Sequence, residues 1–273
     1  MTNSGDLRTI ELSDPRFERD HLRMLTFKSD AMKCRVDVTF FVPDAVRHLS
    51  DVPLVILLHG VYGSHWAWFL KGGAHETAAA LIETNRVRPL VLASPSDGYF
   101  GDGSAYIDHS GRKFEQWIST ELPLLLRNVL PCLGEKTPIF LAGLSMGGYG
   151  ALRIGAKHPT LFTGLSAHSA ITELAQMQSF VHDFSPFQAV DVHDADLLGW
   201  CRVHKDSLPP LRFDCGRLDP LLESNRQLHR QLQELSIQHQ YDEFHGGHTW
   251  PYWTEHLQDT LLFFEKVLQA TAE

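Results

Sequence analysis

Apolar residues along this chain fall into short blocks that switch between two spacings. Compact apolar runs and two-residue alternation predict strands at 7–12, 21–27, 34–42, 53–58, 90–93, 138–142, 162–167, 211–215 and 238–243. Between them, 74–83, 113–130, 149–158, 221–235 and 254–268 carry the spacing of helices that bury one face. Pro123 predicts a kink or break inside 113–130. The runs PLVILL and PIFLA are apolar at every position, as expected of strands covered on both faces of a parallel sheet. Strands alternating with helices predict an α/β fold, a mostly parallel central sheet with helices on both faces. The whole of 1–273 reads as a single domain, with no repeat and no low-complexity linker.

Two stretches break the alternation. Residues 94–111, SPSDGYFGDGSAYIDHSG, have no period and read as a long irregular loop, of a length that usually carries function. Residues 170–207 are weakly periodic and rich in His and Asp, and read as a small cap insertion over a site.

Composition narrows the function classes. With 24 basic and 33 acidic residues the formal charge is −9, which disfavours nucleic acid and anionic membranes as partners. No apolar run reaches the ~18 residues of a membrane span. The start of the chain is polar, without the apolar core of a secretory signal, and Cys34, Cys132, Cys201 and Cys215 show no paired spacing. The expectation is a cytoplasmic protein with free thiols, acting on a small molecule, and a homo-oligomer is left open.

The chemistry concentrates at Gly143-Leu144-Ser145-Met146-Gly147, between an apolar strand and a helix of small residues. In this G-x-S-x-G arrangement the serine sits on a sharp, strained turn that lifts its hydroxyl above the sheet. The Met146 N–H then lies at a helix start, where unpaired donors and the helix dipole stabilise an anion. A serine needs a base to become a nucleophile. Asp219 in DCGRLDPLL and His248 in FHGGHTW follow the serine in the order acid then histidine, each in a loop after a strand. His248 is chosen over the neighbouring His245, one of 16 histidines, because Gly246-Gly247 lets its loop turn inward. Asp219 is chosen over Asp214, whose place in the strand run LRFDC fixes its side chain toward a sheet face. An N-cap duty before Pro220 is the competing explanation for Asp219. A second oxyanion donor is expected at the Val61 N–H, where Gly60 permits close approach to a substrate oxygen.

These pieces together, LLHGVYGSHWAW, FLAGLSMGGYGALRIGAKHP, DCGRLDPLLESN and GGHTWPYW, resemble the putative-esterase (esterase D-like) family of α/β hydrolases over about residues 34–268. The resemblance implies the α/β-hydrolase fold, with Ser145 as nucleophile, Asp219 as acid, His248 as base, and Val61 and Met146 as oxyanion donors. Val61-Tyr62-Gly63, Tyr149 and the GGHTW run are more similar to the tributyrin and feruloyl branch than to S-formylglutathione hydrolases. The expected activity is a cofactor-independent serine carboxylesterase for short acyl esters. The alternatives are a thioesterase of the S-formylglutathione hydrolase kind and a hydrolase-fold protein that only binds.

Tyr62, Trp66, Tyr149 and Trp250 are the expected pocket residues, with Trp68, Tyr99, Phe100 and Tyr106 in the surrounding loops. Phe180, Phe184, Phe187 and Trp200 of the insertion are expected to cover the pocket. His182, Asp183, His193, Asp194 and Asp196 match no compact metal-ligand spacing, so no metal is assigned.

Overall fold

The computed structural model describes residues 10–98 and 101–271. The elements run, in chain order, β1 (Ile10–Leu12), β2 (Leu22–Ser29), β3 (Cys34–Phe41), β4 (Leu54–Leu58), α1 (Ala67–Leu70), α2 (Ala74–Glu83), β5 (Val91–Pro95), α3 (Phe114–Gln116), α4 (Leu122–Val129), β6 (Ile139–Leu144), α5 (Met146–Lys157) and β7 (Gly164–His168). They continue with α6 (Val192–Ala195), α7 (Leu197–Val203), β8 (Leu211–Gly216), α8 (Leu222–Glu234), β9 (Gln240–Phe244) and α9 (Trp250–Ala270). The strands form one nine-stranded sheet in the order β1-β2-β3-β5-β4-β6-β7-β8-β9. The three pairings from β1 to β5 are antiparallel, and the rest are parallel.

The pleat explains how both faces are covered. Leu54, Ile56 and Leu58 of β4 enter one core with α4, α5 and α8, whereas Val55 and Leu57 enter the other with α2 and α9. Every residue of β4 and β6 is buried, so both strands are apolar throughout.

Register sets the place of the site. Leu58 pairs with Gly143, Leu144 with His168, His168 with Asp214, and Gly216 with Phe244. The carboxyl ends of β4, β6, β7, β8 and β9 therefore lie in a row, and the loops that leave them converge at one edge, where open α/β sheets hold their ligands.

Pro123 does not break its helix. Phe114–Gln116 widens into a π turn over Trp117–Glu121 and resumes as Leu122–Val129, with the Leu122 N–H reaching back five residues to the Trp117 carbonyl. Proline has no N–H to give, and one wide turn absorbs the missing bond at lower cost than a break. The strand expected at 7–12 is described only from Ile10, and Tyr99 and Phe100 lie outside the described residues. Segment 170–207 holds short turns with α6 and α7.

Candidate active site

Ser145 sits between β6 and α5 with φ 54° and ψ −118°, a backbone shape that costs a non-glycine residue about 1–3 kcal/mol. The surroundings enforce it. The Ser145 N–H donates to the His168 carbonyl at 2.9 Å, and its own carbonyl accepts the Ile171 N–H at 3.1 Å. A Cβ on Gly147 would run into the Leu58 and His59 carbonyls, and one on Gly143 into the Gly147 carbonyl. The two glycines of the motif are therefore required by packing against backbone, where nothing can give way.

His248 and Asp219 converge on this serine. The Ser145 hydroxyl lies 3.0 Å from His248 Nε2, and His248 Nδ1 lies 2.9 Å from Asp219 Oδ2 and 3.1 Å from Oδ1. With Nδ1–H donating to the buried carboxylate, Nε2 is the acceptor for the serine proton. Asp219 also accepts the Leu221 N–H at 2.8 Å through Oδ1, so the capping duty weighed against it coexists with the histidine contact. His245 takes no part in this chain of bonds.

The loop after β4 passes beside Ser145, with Gly60, Val61, Tyr62 and Gly63 in the lining of the same cleft. Its Tyr62 N–H is taken by the Asp102 carbonyl at 2.8 Å and its Gly63 N–H by the Gly60 carbonyl at 3.1 Å. The Met146 N–H is among those that begin α5 without intrahelical partners. A Cβ on Gly60 would come within 2.9 Å of Leu144 Cδ1 and 3.4 Å of Ser145 Cβ, so the loop after β4 and the serine turn touch directly.

Above Ser145 lies a cleft of about 330 Å³, walled by Val61, Tyr62, Trp66, Lys71, Phe180, His248, Trp250 and Trp253 among others. Tyr62, Trp66 and Trp250, three of the four residues expected to line a pocket, line this cleft. Tyr149 does not: its ring is fully buried and its hydroxyl donates to the Ala195 carbonyl at 2.6 Å, tying α5 to α6. The reason is helical spacing, since a residue four after Ser145 on α5 faces the insertion. Trp68 and Tyr106 are likewise buried, with Trp68 bonded to the Leu58 carbonyl and Tyr106 to the His59 carbonyl. Of the insertion aromatics only Phe180 reaches the site, stacking on His248 at 5.6 Å between ring centroids. Phe184 and Phe187 line a separate cavity against α8, and Trp200 bonds the Asp194 carbonyl.

The acidic residues of the insertion serve local structure. Asp194 meets Arg153 and Lys157, and Asp191 and Asp196 cap α6 and α7. Among the described residues no cluster of three or more His, Cys, Asp or Glu is arranged to hold a metal ion.

Two features escaped the sequence reading. Trp253 meets His248 edge-on at 5.0 Å and donates its indole N–H to Ser169 Oγ at 3.2 Å, so the imidazole is held between two rings. The signal was the spacing of Trp250 and Trp253, one helical turn apart at the start of α9. The second feature is a buried charge cluster beneath the serine turn. Asp214 receives the Tyr252 hydroxyl at 2.7 Å, and its Oδ2 lies 2.9 Å from His168 Nδ1 and 2.8 Å from Arg212 Nη2. Burial alone would raise the Asp214 carboxyl, but His168 and Arg212 outweigh it and hold the carboxyl down at about 2. Cys215 beside it is pushed up, first by burial and then by Asp219 and Asp214, and stays a neutral thiol.

Comparison with known proteins places the chain in a family. The profile of the putative esterase family matches residues 29–264. An acetyl esterase of Caldicellulosiruptor saccharolyticus is 28% identical over 237 residues, covering 80% of this chain and 85% of its own. An S-formylglutathione hydrolase of Arabidopsis thaliana is 26% identical over 156 residues, covering 53% of this chain and 55% of its own. A ferulic acid esterase structure superposes with a TM-score of 0.74 over 95% of this chain and 99% of its own at 20% identity, a likeness of fold. The sheet, its helices and these likenesses make the architecture an α/β-hydrolase fold.

Proposed function

The chain belongs to the putative esterase family, and from that premise we propose that it is a serine carboxylesterase acting on short-chain acyl esters through an acyl-enzyme on Ser145. The observation that carries this reading is the line of contacts from Ser145 through His248 to Asp219, at 3.0 and 2.9 Å, beside two backbone N–H groups. His248 takes the Ser145 proton as Oγ attacks the ester carbonyl. Asp219 fixes the imidazole tautomer and stabilises the imidazolium. The Val61 and Met146 N–H groups receive the charge that develops on the carbonyl oxygen. Collapse expels the alcohol, which leaves with the proton from His248. Water then attacks the acyl carbon, giving its proton to His248, and the acid departs as Ser145 is regenerated. No step requires a metal or cofactor. The chain works as one domain, with segment 170–207 as a cap that brings Phe180 to the site.

The test is labelling by a fluorophosphonate probe. Labelling of the wild-type protein that maps to Ser145, and loss of both labelling and ester hydrolysis in Ser145→Ala, is the expected result, with turnover falling on the order of 10⁴–10⁶. An unlabelled, inactive wild-type protein would favour a binding role instead. The similarity to an S-formylglutathione hydrolase supports a second reading, thioester hydrolysis by the same residues. Comparing S-formylglutathione with p-nitrophenyl acetate separates the two.

A further inference from the structure

Lys71 is a cation on the wall of the Ser145 cleft, in a protein whose formal charge is −9. Among the described residues no Asp or Glu lines that cleft. Asp102, the carboxylate beside Tyr62, is taken up by the His182 N–H at 2.6 Å and stays outside the lining. Among the described residues Lys71 forms no salt bridge; its ammonium rests 5.7 Å from the centroid of the Trp250 ring.

The position is built. The turn that ends α1 closes with the Lys71 and Gly72 N–H groups donating to the Ala67 carbonyl at 3.2 and 3.0 Å, and the chain leaves through Gly73 at φ 62°. A Cβ on Gly72 would come within 2.7 Å of the Trp250 ring, so the indole packs directly against this backbone. Trp250 in turn meets Trp68 and Trp253 edge-on at 5.8 and 5.4 Å. The lysine ammonium thus sits over the first of a run of edge-to-face rings that ends at His248. A helix of four residues has too little dipole to explain a lysine at its end. Tyr62 and Trp66, 62% and 40% exposed, present further ring surface at the same mouth.

A lone cation among aromatic walls selects ligands that join an anionic group to a flat or extended apolar part. Resting on the esterase reading above, we infer that Lys71 is a specificity-determining residue and that the preferred substrates are esters bearing a carboxylate. A substrate carboxylate would exchange the ring contact of the ammonium for a charge-assisted hydrogen bond, at an exposed mouth where salt weakens the pair.

The experiment compares matched esters with and without a carboxylate. 4-Acetoxybenzoate against its methyl ester places the charge on the alcohol side, and monophenyl succinate against its methyl ester places it on the acyl side. The quantity read is the ratio of kcat/KM for the charged ester to that for its neutral partner, so that any general effect on turnover cancels. In Lys71→Met the ratio should fall about fivefold for one of the two pairs, the equivalent of about 1 kcal/mol for a partly exposed ion pair. Lys71→Arg should restore it, and raising the salt concentration on wild-type protein should lower it. The pair that responds assigns the side of the ester that Lys71 meets. Ester hydrolysis with fluorophosphonate labelling but an unchanged ratio in both pairs would overturn the role of Lys71 while leaving the esterase reading intact. Absence of both hydrolysis and labelling would overturn the esterase reading and this inference with it.

Discussion

The Asp219 carboxylate holds His248 Nδ1 at 2.9 Å through one oxygen while the other, Oδ1, accepts the Leu221 N–H at 2.8 Å. One side chain thereby orients the base and starts the chain toward α8. The two duties separate by substitution. Asp219→Asn keeps an oxygen for Leu221 but favours the wrong histidine tautomer, so turnover should drop by up to roughly 10⁴ with little change in thermal stability. Asp219→Ala should show the same loss of turnover plus about 1 kcal/mol of lost stability, read by denaturant unfolding.

Asp214 lies five residues away and should behave in the opposite way. Its carboxylate is fully buried against Arg212, His168 and Tyr252. Asp214→Asn removes the nearer carboxylate from the buried Arg212, leaving it Asp242 at 3.6 Å, and should cost about 3–5 kcal/mol of stability. The fraction that remains folded should still be labelled at Ser145. A stable, inactive Asp214→Asn beside an active Asp219→Asn would exchange the two assignments.

Acid should unfold the protein in a defined window. Asp214 is held at about 2 despite burial, by His168 and Arg212, and Glu115 at about 2 despite burial, by His158, Arg153 and Lys157. Both are below the ordinary carboxylate range, so the unfolded chain binds more protons than the folded one. The stability they contribute is complete above about pH 5 and is lost as pH falls from about 4 toward 2, on the order of 2 kcal/mol for each group. Urea midpoints at pH 7, 4 and 3 measure this. Glu115→Gln should flatten the decline, and an equal slope in that variant would rule Glu115 out as a contributor.

Gly60 and Gly147 should differ in how they fail. A Cβ at Gly147 meets two carbonyls of β4 and its loop, and Gly147→Ala should fold poorly. A Cβ at Gly60 meets the end of a leucine side chain at 2.9 Å, which can shift. Gly60→Ala should fold yet displace the Val61 donor, lowering kcat by about 10²–10³ with a smaller change in KM. An effect confined to KM would argue that Val61 does not serve the transition state.

The cleft of about 330 Å³ should favour acetyl to butyryl esters over longer acyl chains. Phe180 stacks on His248 and closes one side of this space. Phe180→Ala should shift the optimum of a p-nitrophenyl ester series toward longer chains. A wild-type optimum at long-chain lipid esters would show that the cleft does not limit the acyl group.

How much of this was readable in the residues follows from which forces were local. The apolar runs ending in His59-Gly60 and Gly143-Leu144-Ser145 located β4, β6 and the serine turn, because a strand buried on both faces and a glycine-gated bend leave local marks. Asp214 and Arg212 alternate along β8 onto one face, as the pleat requires, and the expectation that Asp214 points into a sheet face agrees with its contacts. Long-range packing left no such mark. Tyr149, four residues into α5, turns toward Ala195 because of where segment 170–207 settles. Phe184, Phe187 and Trp200 carry the same aromatic character as Phe180, and only the path of that segment decides which of them meets His248. The π turn at Pro123 was hidden for a related reason: whether a proline breaks or widens a helix depends on what Trp117 and Ile118 bury elsewhere.

Gly147 rests on the Leu58 and His59 carbonyls, and Gly60 on Leu144 and Ser145, so each loop is the other's floor. The two N–H groups proposed to receive the oxyanion are in this way carried on one joint between the two loops. Its Gly147 half meets backbone that cannot yield, whereas its Gly60 half meets a leucine side chain that can, so changes there cost function before they cost the fold. Innovation is steered outward to Tyr62, Trp66, Lys71 and Phe180, where side chains can be exchanged one at a time while the reaction beneath them runs unchanged.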